Sequence, residues 1–202
     1  MLRRCLLFTC FALTIAAAAD DPSVIVTFPD IRYPIVATSV QEVDFNNLRY
    51  KMGNHWFQLH NGIGSKEYGD GVREPRSRED LSLDQSFYFD RDSKGIPQHA
   101  LIVLTYTSIA GSSSEEGVIQ VFGIRAGHPR ATQQLDYDRQ APGTGSTFDP
   151  STGLLTVTAR TADDSAHCCP KHVDIACYRW NGNEFKLEQS RTVALPDQPP
   201  QH

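Results

Sequence analysis

The chain has no run of lysine or arginine, no second apolar stretch of membrane length, and no segment with apolar residues at capped helical spacing over three turns. Each absence removes a class. With 19 basic against 24 acidic residues and a formal net charge of −5, the chain is a poor match to a phosphate backbone, so nucleic acid is not an expected partner. Without a further long apolar stretch, stable membrane insertion of the mature protein is not expected either. Four catalytic signatures are missing: a Gly-x-Ser-x-Gly elbow, Ser-x-x-Lys, His-Glu-x-x-His and a Gly-rich phosphate loop. The paired carboxylates Asp163-Asp164 and Glu115-Glu116 fall in polar turns, where solvated surface is their expected role. No clear internal repeat occurs, and no cofactor is expected.

What is present begins with an export signal. Arg3 and Arg4 precede a short apolar stretch from Leu6 to Ile15, and Ala17-Ala18-Ala19 supplies the small residues a signal peptidase needs before Asp20. Cleavage after Ala19 takes two arginines and no acids, moving the formal charge to −7. It also removes Cys5 and Cys10, leaving Cys168, Cys169 and Cys177. The expected organisation is a signal peptide over 1–19, a single β-rich domain over 20–195 and a disordered Pro- and Gln-rich tail over 196–202. The expected location is secreted or periplasmic.

The mature chain reads as all-β: an antiparallel sandwich or open barrel with little helix. Strands are expected at Val24–Phe28, loosely over Ile35–Val43, at Leu48–Tyr50 and at His55–Leu59. The segment from Asn61 to Ser82 is rich in Gly and charge without periodicity and reads as a long surface loop. Ala100-Leu101-Ile102-Val103-Leu104 is apolar on both faces, which argues a central strand. Residues 110–117 then turn the chain, and Val118–Ile124 returns as the second arm of a hairpin. A Pro-initiated turn over Phe148–Gly153 precedes a strand at Leu154–Ala159. Asn181-Gly182 suits a two-residue type I′ hairpin, in which Arg179 faces Glu184 and Tyr178 faces Phe185. Trp180, Tyr178, Phe185 and Leu187 then share the core side, with Cys177 on the polar face. The aromatics Trp56, Phe57, Trp180, Tyr178 and Phe185 fit either a core or a sugar-binding face.

Chemistry concentrates at His167-Cys168-Cys169-Pro170, followed by His172 and Cys177. In an oxidising compartment two of Cys168, Cys169 and Cys177 are expected to form a structural disulfide. A small loop closed this way stabilises by about 2–3 kcal/mol. Two alternatives stay open. His167, Cys168, Cys169, His172 and Cys177 are five soft ligands within eleven positions, a set that suits Zn²⁺ or Cu⁺. A redox-active thiol pair is the other, although the Cys-x-x-Cys spacing is missing.

Asp90-Arg91-Asp92-Ser93-Lys94-Gly95 begins as calcium loops begin, with Asp90 and Asp92 as oxygen ligands before a glycine. Lys94 and Leu101 stand where further ligands belong, so a solvated turn is the expectation. Phe89 to Leu104 resembles the Asp-rich turn and apolar strand of FG-GAP-like exported proteins. Val43–Tyr50, with Cys168-Cys169-Pro170 and Tyr178-Arg179-Trp180, is similar to secreted bacterial proteins of unknown function. The resemblance implies a β-rich exported domain and supplies no activity; Lys94 and His99 depart from its acidic pattern. The sequence therefore points to a non-catalytic binding or interaction module engaging a protein or glycan at the cell envelope. A periplasmic metal-handling or thiol-redox protein is the alternative, and a hydrolase on an unfamiliar β-scaffold the third.

Overall fold

The structure is a computed structural model that describes residues 23–69, 77–109, 113–162 and 170–196. Their strands are β1 (Val24–Thr27), β2 (Ile31–Arg32), β3 (Arg49–Met52), β4 (His55–Gln58), β5 (Ile63–Tyr68), β6 (Ser77–Arg91) and β7 (Pro97–Ile109). They continue as β8 (Ser113–Arg125), β9 (His128–Asp138), β10 (Gly145–Asp149), β11 (Leu154–Arg160), β12 (His172–Trp180) and β13 (Phe185–Ala194). Two single-turn 3-10 segments, Val40–Glu42 and Phe45–Asn47, complete the elements, and no described helix reaches seven residues. The fold is all-β and antiparallel, as the sequence indicates.

A large sheet runs β1-β9-β8-β7-β6-β5, with β2 also on β9. A second sheet runs β10-β11-β12-β13, and β3-β4 forms a separate hairpin. The large sheet is buried on both faces. On β7, Ala100, Ile102 and Leu104 join a core completed by the 3-10 turns and the β3-β4 hairpin, including Tyr50, Phe57 and Phe122. Leu101 and Val103 point the other way, into a core shared with Phe148, Leu155, Tyr178 and Phe185 of the smaller sheet. This double burial is why the β7 segment is continuously apolar. Each such side chain removed from water contributes roughly 1.5–3 kcal/mol.

Two contacts fix the sheets. Gln133, 1% exposed, reaches from β9 to the smaller sheet: its Oε1 accepts the Phe185 N–H at 2.8 Å and its Nε2 donates to the Phe185 carbonyl at 2.9 Å. Gly117 is flat because a Cβ there would fall inside the ring of Tyr137, its cross-strand partner.

Several expectations are corrected. The 61–82 segment is not a loop. β5 pairs with β6 from Ile63↔Ser82 to Tyr68↔Ser77, and residues 70–76 lie outside the described residues. β5 is an edge strand with exposed positions, so it lacks apolar alternation, and Gly64 is needed because a Cβ would sit 2.8 Å from the Gln58 carbonyl oxygen. Ile35–Val43 is irregular chain and a 3-10 turn rather than a strand. The turn expected over 110–117 is shorter, since Ser113–Gly117 belong to β8. The 181–182 hairpin closes with four residues, not two: Trp180 pairs with Phe185, Arg179 with Lys186 and Tyr178 with Leu187. Asn181 Oδ1 accepts the N–H groups of Asn183 and Glu184, an Asx turn that competes with type I′ geometry. Arg179 pairs instead with Glu188 at 2.9 Å. Leu187 is 54% exposed because β13 is the outer strand of its sheet. Tight two-residue turns occur at Asn61-Gly62, between the bridged His60 and Ile63, and at Ala126-Gly127; in both, each residue takes positive φ, 53° and 85° in the first, 51° and 74° in the second.

Candidate functional site

Where the β3-β4 hairpin ends, the first core opens into a pocket of ≈ 380 Å³ lined by Met52–His55, Glu79, Tyr106, Glu116, Gln134 and Asp136. The hairpin turn Gly53-Asn54 forms one wall. Strands β6, β7, β8 and β9 supply the other side chains from the same face of the large sheet, where alternation on long neighbouring strands places residues in rows.

Glu79, with its side chain 14% exposed, is the best-held carboxylate. His55 Nδ1 lies 2.9 Å from its Oε2, and the Tyr68 hydroxyl donates to the same oxygen at 2.9 Å. Tyr106 bonds it as well. Burial pushes the Glu79 carboxyl up, but hydrogen bonds from His55, Tyr68 and Tyr106 outweigh that and hold it below the usual carboxylate range. Burial, and then the charge of Glu79, push the Tyr106 hydroxyl up to about 12.

Asp136 behaves in the opposite way. Burial raises its carboxyl to about 6, Gln134 opposes this by donating at 2.8 Å, and Glu116 adds repulsion. Glu116 is exposed on its outer side; desolvation and then Asp138 raise it, an effect that solvent screens. Behind Asp136 runs a buried amide chain, in which Gln120 Nε2 donates to Gln134 Oε1 at 2.7 Å. Gln120 is fully buried, so this chain fixes the orientation of Gln134 and through it Asp136. Glu116 and Asp136 also line a neighbouring hollow that contains Asp138, Arg160 and Ala162. There Asp138 is neutralised by Arg160 at 2.7 Å.

The residues singled out in the sequence fall elsewhere. His167, Cys168 and Cys169 lie outside the described residues, as do residues 1–19, the expected signal peptide. His172 and Cys177 both stand on β12, five positions apart. That places them on opposite faces and roughly 16 Å apart along the strand, so the two do not converge. Cys177 is a half-buried thiol, 3.8 Å from the Thr156 hydroxyl, and no disulfide is seen among the described residues. Among the described residues no three His, Cys, Asp or Glu side chains are grouped to hold a metal ion.

Asp90 and Asp92 do not face a common ion. Asp92 Oδ1 accepts the N–H groups of Lys94 and Ile96, which closes the turn on itself. Asp90 turns back to the core, where its Oδ2 meets His99 Nδ1 at 3.0 Å and accepts the Trp180 indole N–H at 3.1 Å. Trp180 and Phe185 pack with Phe89 in the second core, so these aromatics serve the core rather than a sugar face. Desolvation lowers His99 despite the opposing pull of Asp90.

No single segment announces the acidic pocket, because Glu79, Tyr106, Glu116 and Asp136 sit on four different strands. The one available signal was Glu116, placed by the sequence in a solvated turn but located on β8. Comparison with protein-family models finds no match, and comparisons with curated proteins and with solved structures find none either.

Proposed function

We propose that the protein is a non-catalytic binding module of the cell envelope, and that its acidic pocket receives a cationic group, the ammonium or guanidinium of a partner protein. The observation that carries this reading is the distribution of arginine. Elsewhere the carboxylates of Asp30, Asp84, Asp138 and Glu188 each meet an arginine within 3 Å. The pocket of Glu79, Glu116 and Asp136 contains neither arginine nor lysine. Asp136 is therefore held partly desolvated without a counter-charge, an arrangement that a bound cation relieves. Location at the envelope rests on the export signal at Met1–Ala19, and the resemblance to secreted bacterial proteins points the same way.

The test is calorimetric titration with a short lysine- and arginine-containing peptide, at pH 7.5 and at pH 5. Saturable binding at pH 7.5 that weakens at pH 5, where Asp136 takes up its proton, is expected. Glu79→Gln or Asp136→Asn should each weaken it by about tenfold, the loss of one charge-assisted hydrogen bond. Binding unaltered by both substitutions refutes the reading.

A hydrolase is the second reading, favoured by one observation: Glu79 is held low and Asp136 high, the division of roles between a carboxylate base and a carboxylic acid. Turnover of aryl glycosides that vanishes in both Glu79→Gln and Asp136→Asn would select it over binding.

A further inference from the structure

Beside the same hairpin, between β4 and β5, lies a second, open hollow of ≈ 550 Å³. Its charged and aromatic lining is Arg49, Trp56, Phe57, His60 and Lys66, and it contains no carboxylate. Both cations are placed over ring faces: the Arg49 guanidinium carbon is 5.0 Å from the Trp56 ring centre, and Lys66 Nζ is 5.4 Å from that of Phe57. Neither has a carboxylate partner among the described residues.

We propose that this hollow binds an acidic saccharide through its carboxylate. A guanidinium resting on an indole keeps its N–H edge free for a bidentate carboxylate, and the stacking limits the entropy lost when the ligand arrives. Lys66 supplies a second point charge from β5. The apolar side of a sugar ring meets Trp56 and the side chain of Ile63, which is 63% exposed. The floor is rigid because β4 and β5 approach closely at Gly64, where a Cβ would collide with the Gln58 carbonyl. In a chain of net charge −5, an all-basic concavity attracts anions only locally, which favours a small charged ligand over an extended polyanion. The inference rests on residues that do not line the acidic pocket, although Lys66 stands opposite Glu79 across β5 and β6.

The experiment is titration with trigalacturonate, followed by calorimetry and tryptophan fluorescence, with maltotriose and a triglutamate peptide as comparators. Saturable binding of trigalacturonate is expected, weaker at high salt, with the fluorescence change abolished by Trp56→Phe. Arg49→Gln and Lys66→Gln should each reduce affinity roughly tenfold or more. Arg49→Lys keeps the charge but loses the fork, so a loss of affinity in this variant too is expected. Asp136→Asn, on β9 and outside this hollow, should leave this binding unchanged, separating its failure from that of the acidic pocket. Equal affinity for maltotriose, stronger binding of triglutamate, no binding of trigalacturonate, or indifference to both Arg49→Gln and Lys66→Gln would each overturn the proposal.

Discussion

Gln133 offers the sharpest test of how the two sheets are joined. Replacement by leucine keeps the volume approximately and removes both polar atoms. Phe185 is 2% exposed, so its N–H and C=O, now bonded at 2.8 and 2.9 Å, would lose their partners where water does not enter. An unsatisfied buried backbone group costs about 1–3 kcal/mol. Two such groups, less a small gain from the added apolar surface, give an expected loss of about 2–5 kcal/mol. That is a large share of the ~5–15 kcal/mol available to a domain. Urea unfolding reads this directly: the midpoint should fall by roughly 1–2 M at constant slope. Hydrogen exchange at the Phe185 amide should accelerate together with it. Gln189→Leu, on the exposed face of β13, serves as the control and should change stability by less than ~0.5 kcal/mol. A Gln133→Leu protein within 1 kcal/mol of the parent would refute the claim that this side chain locks the sheets.

Two further predictions concern the same strands. Gly117→Ala forces the Tyr137 ring off its seat and should destabilise by about 1–3 kcal/mol; in a Tyr137→Leu background most of that cost should disappear, and full additivity in the double-mutant cycle would argue against ring-on-glycine packing. Asp136 titrates near 6 in the fold against an ordinary 3.8, so its contribution to stability is complete below about pH 4 and is lost as pH rises through about 6. Asp136→Asn should therefore lose less stability than the parent between pH 4 and pH 7, measured by thermal unfolding at both; identical pH profiles would contradict the raised carboxyl.

How much of this was legible in the sequence depends on whether a signal is local. Ala100–Leu104 declares its own position because both faces of β7 are buried, and the turn before Leu154 declares itself through Pro150 and Gly153. Local signals mislead where a side chain competes with the backbone. Asn181 carries the residue pair of a type I′ turn, but its carboxamide accepts two backbone N–H groups and a four-residue loop results. Ala126 takes the positive φ that alanine seldom adopts, so the two-residue hairpin at Ala126-Gly127 gave no warning, whereas Asn61-Gly62 does make such a turn in the segment read as a loop. β5 was hidden for a different reason: an edge strand needs no apolar face, and the glycine that marks it, Gly64, is required by the approach of another strand. The candidate site was the least legible of all. Its acids come from β6, β8 and β9, and only the pairing register brings Glu79, Glu116 and Asp136 to one opening.

The charge pattern around the β3-β4 hairpin is hard to assign to folding. A partly desolvated carboxylate without a cation costs stability, and so does holding two cations without acids when six arginine–carboxylate pairs form elsewhere among the described residues. Exchange of a few residues would neutralise both sites, since Lys66 stands opposite Glu79 across β5 and β6, while Glu79 is instead engaged by His55, Tyr68 and Tyr106. Residues that local energetics disfavour are the ones expected where a ligand supplies the missing partner. The consequence is measurable: Asp136→Asn should raise stability at pH 7 while weakening cation binding. A substitution that improved neither the stability nor impaired the binding would show that this carboxylate is an ordinary surface acid.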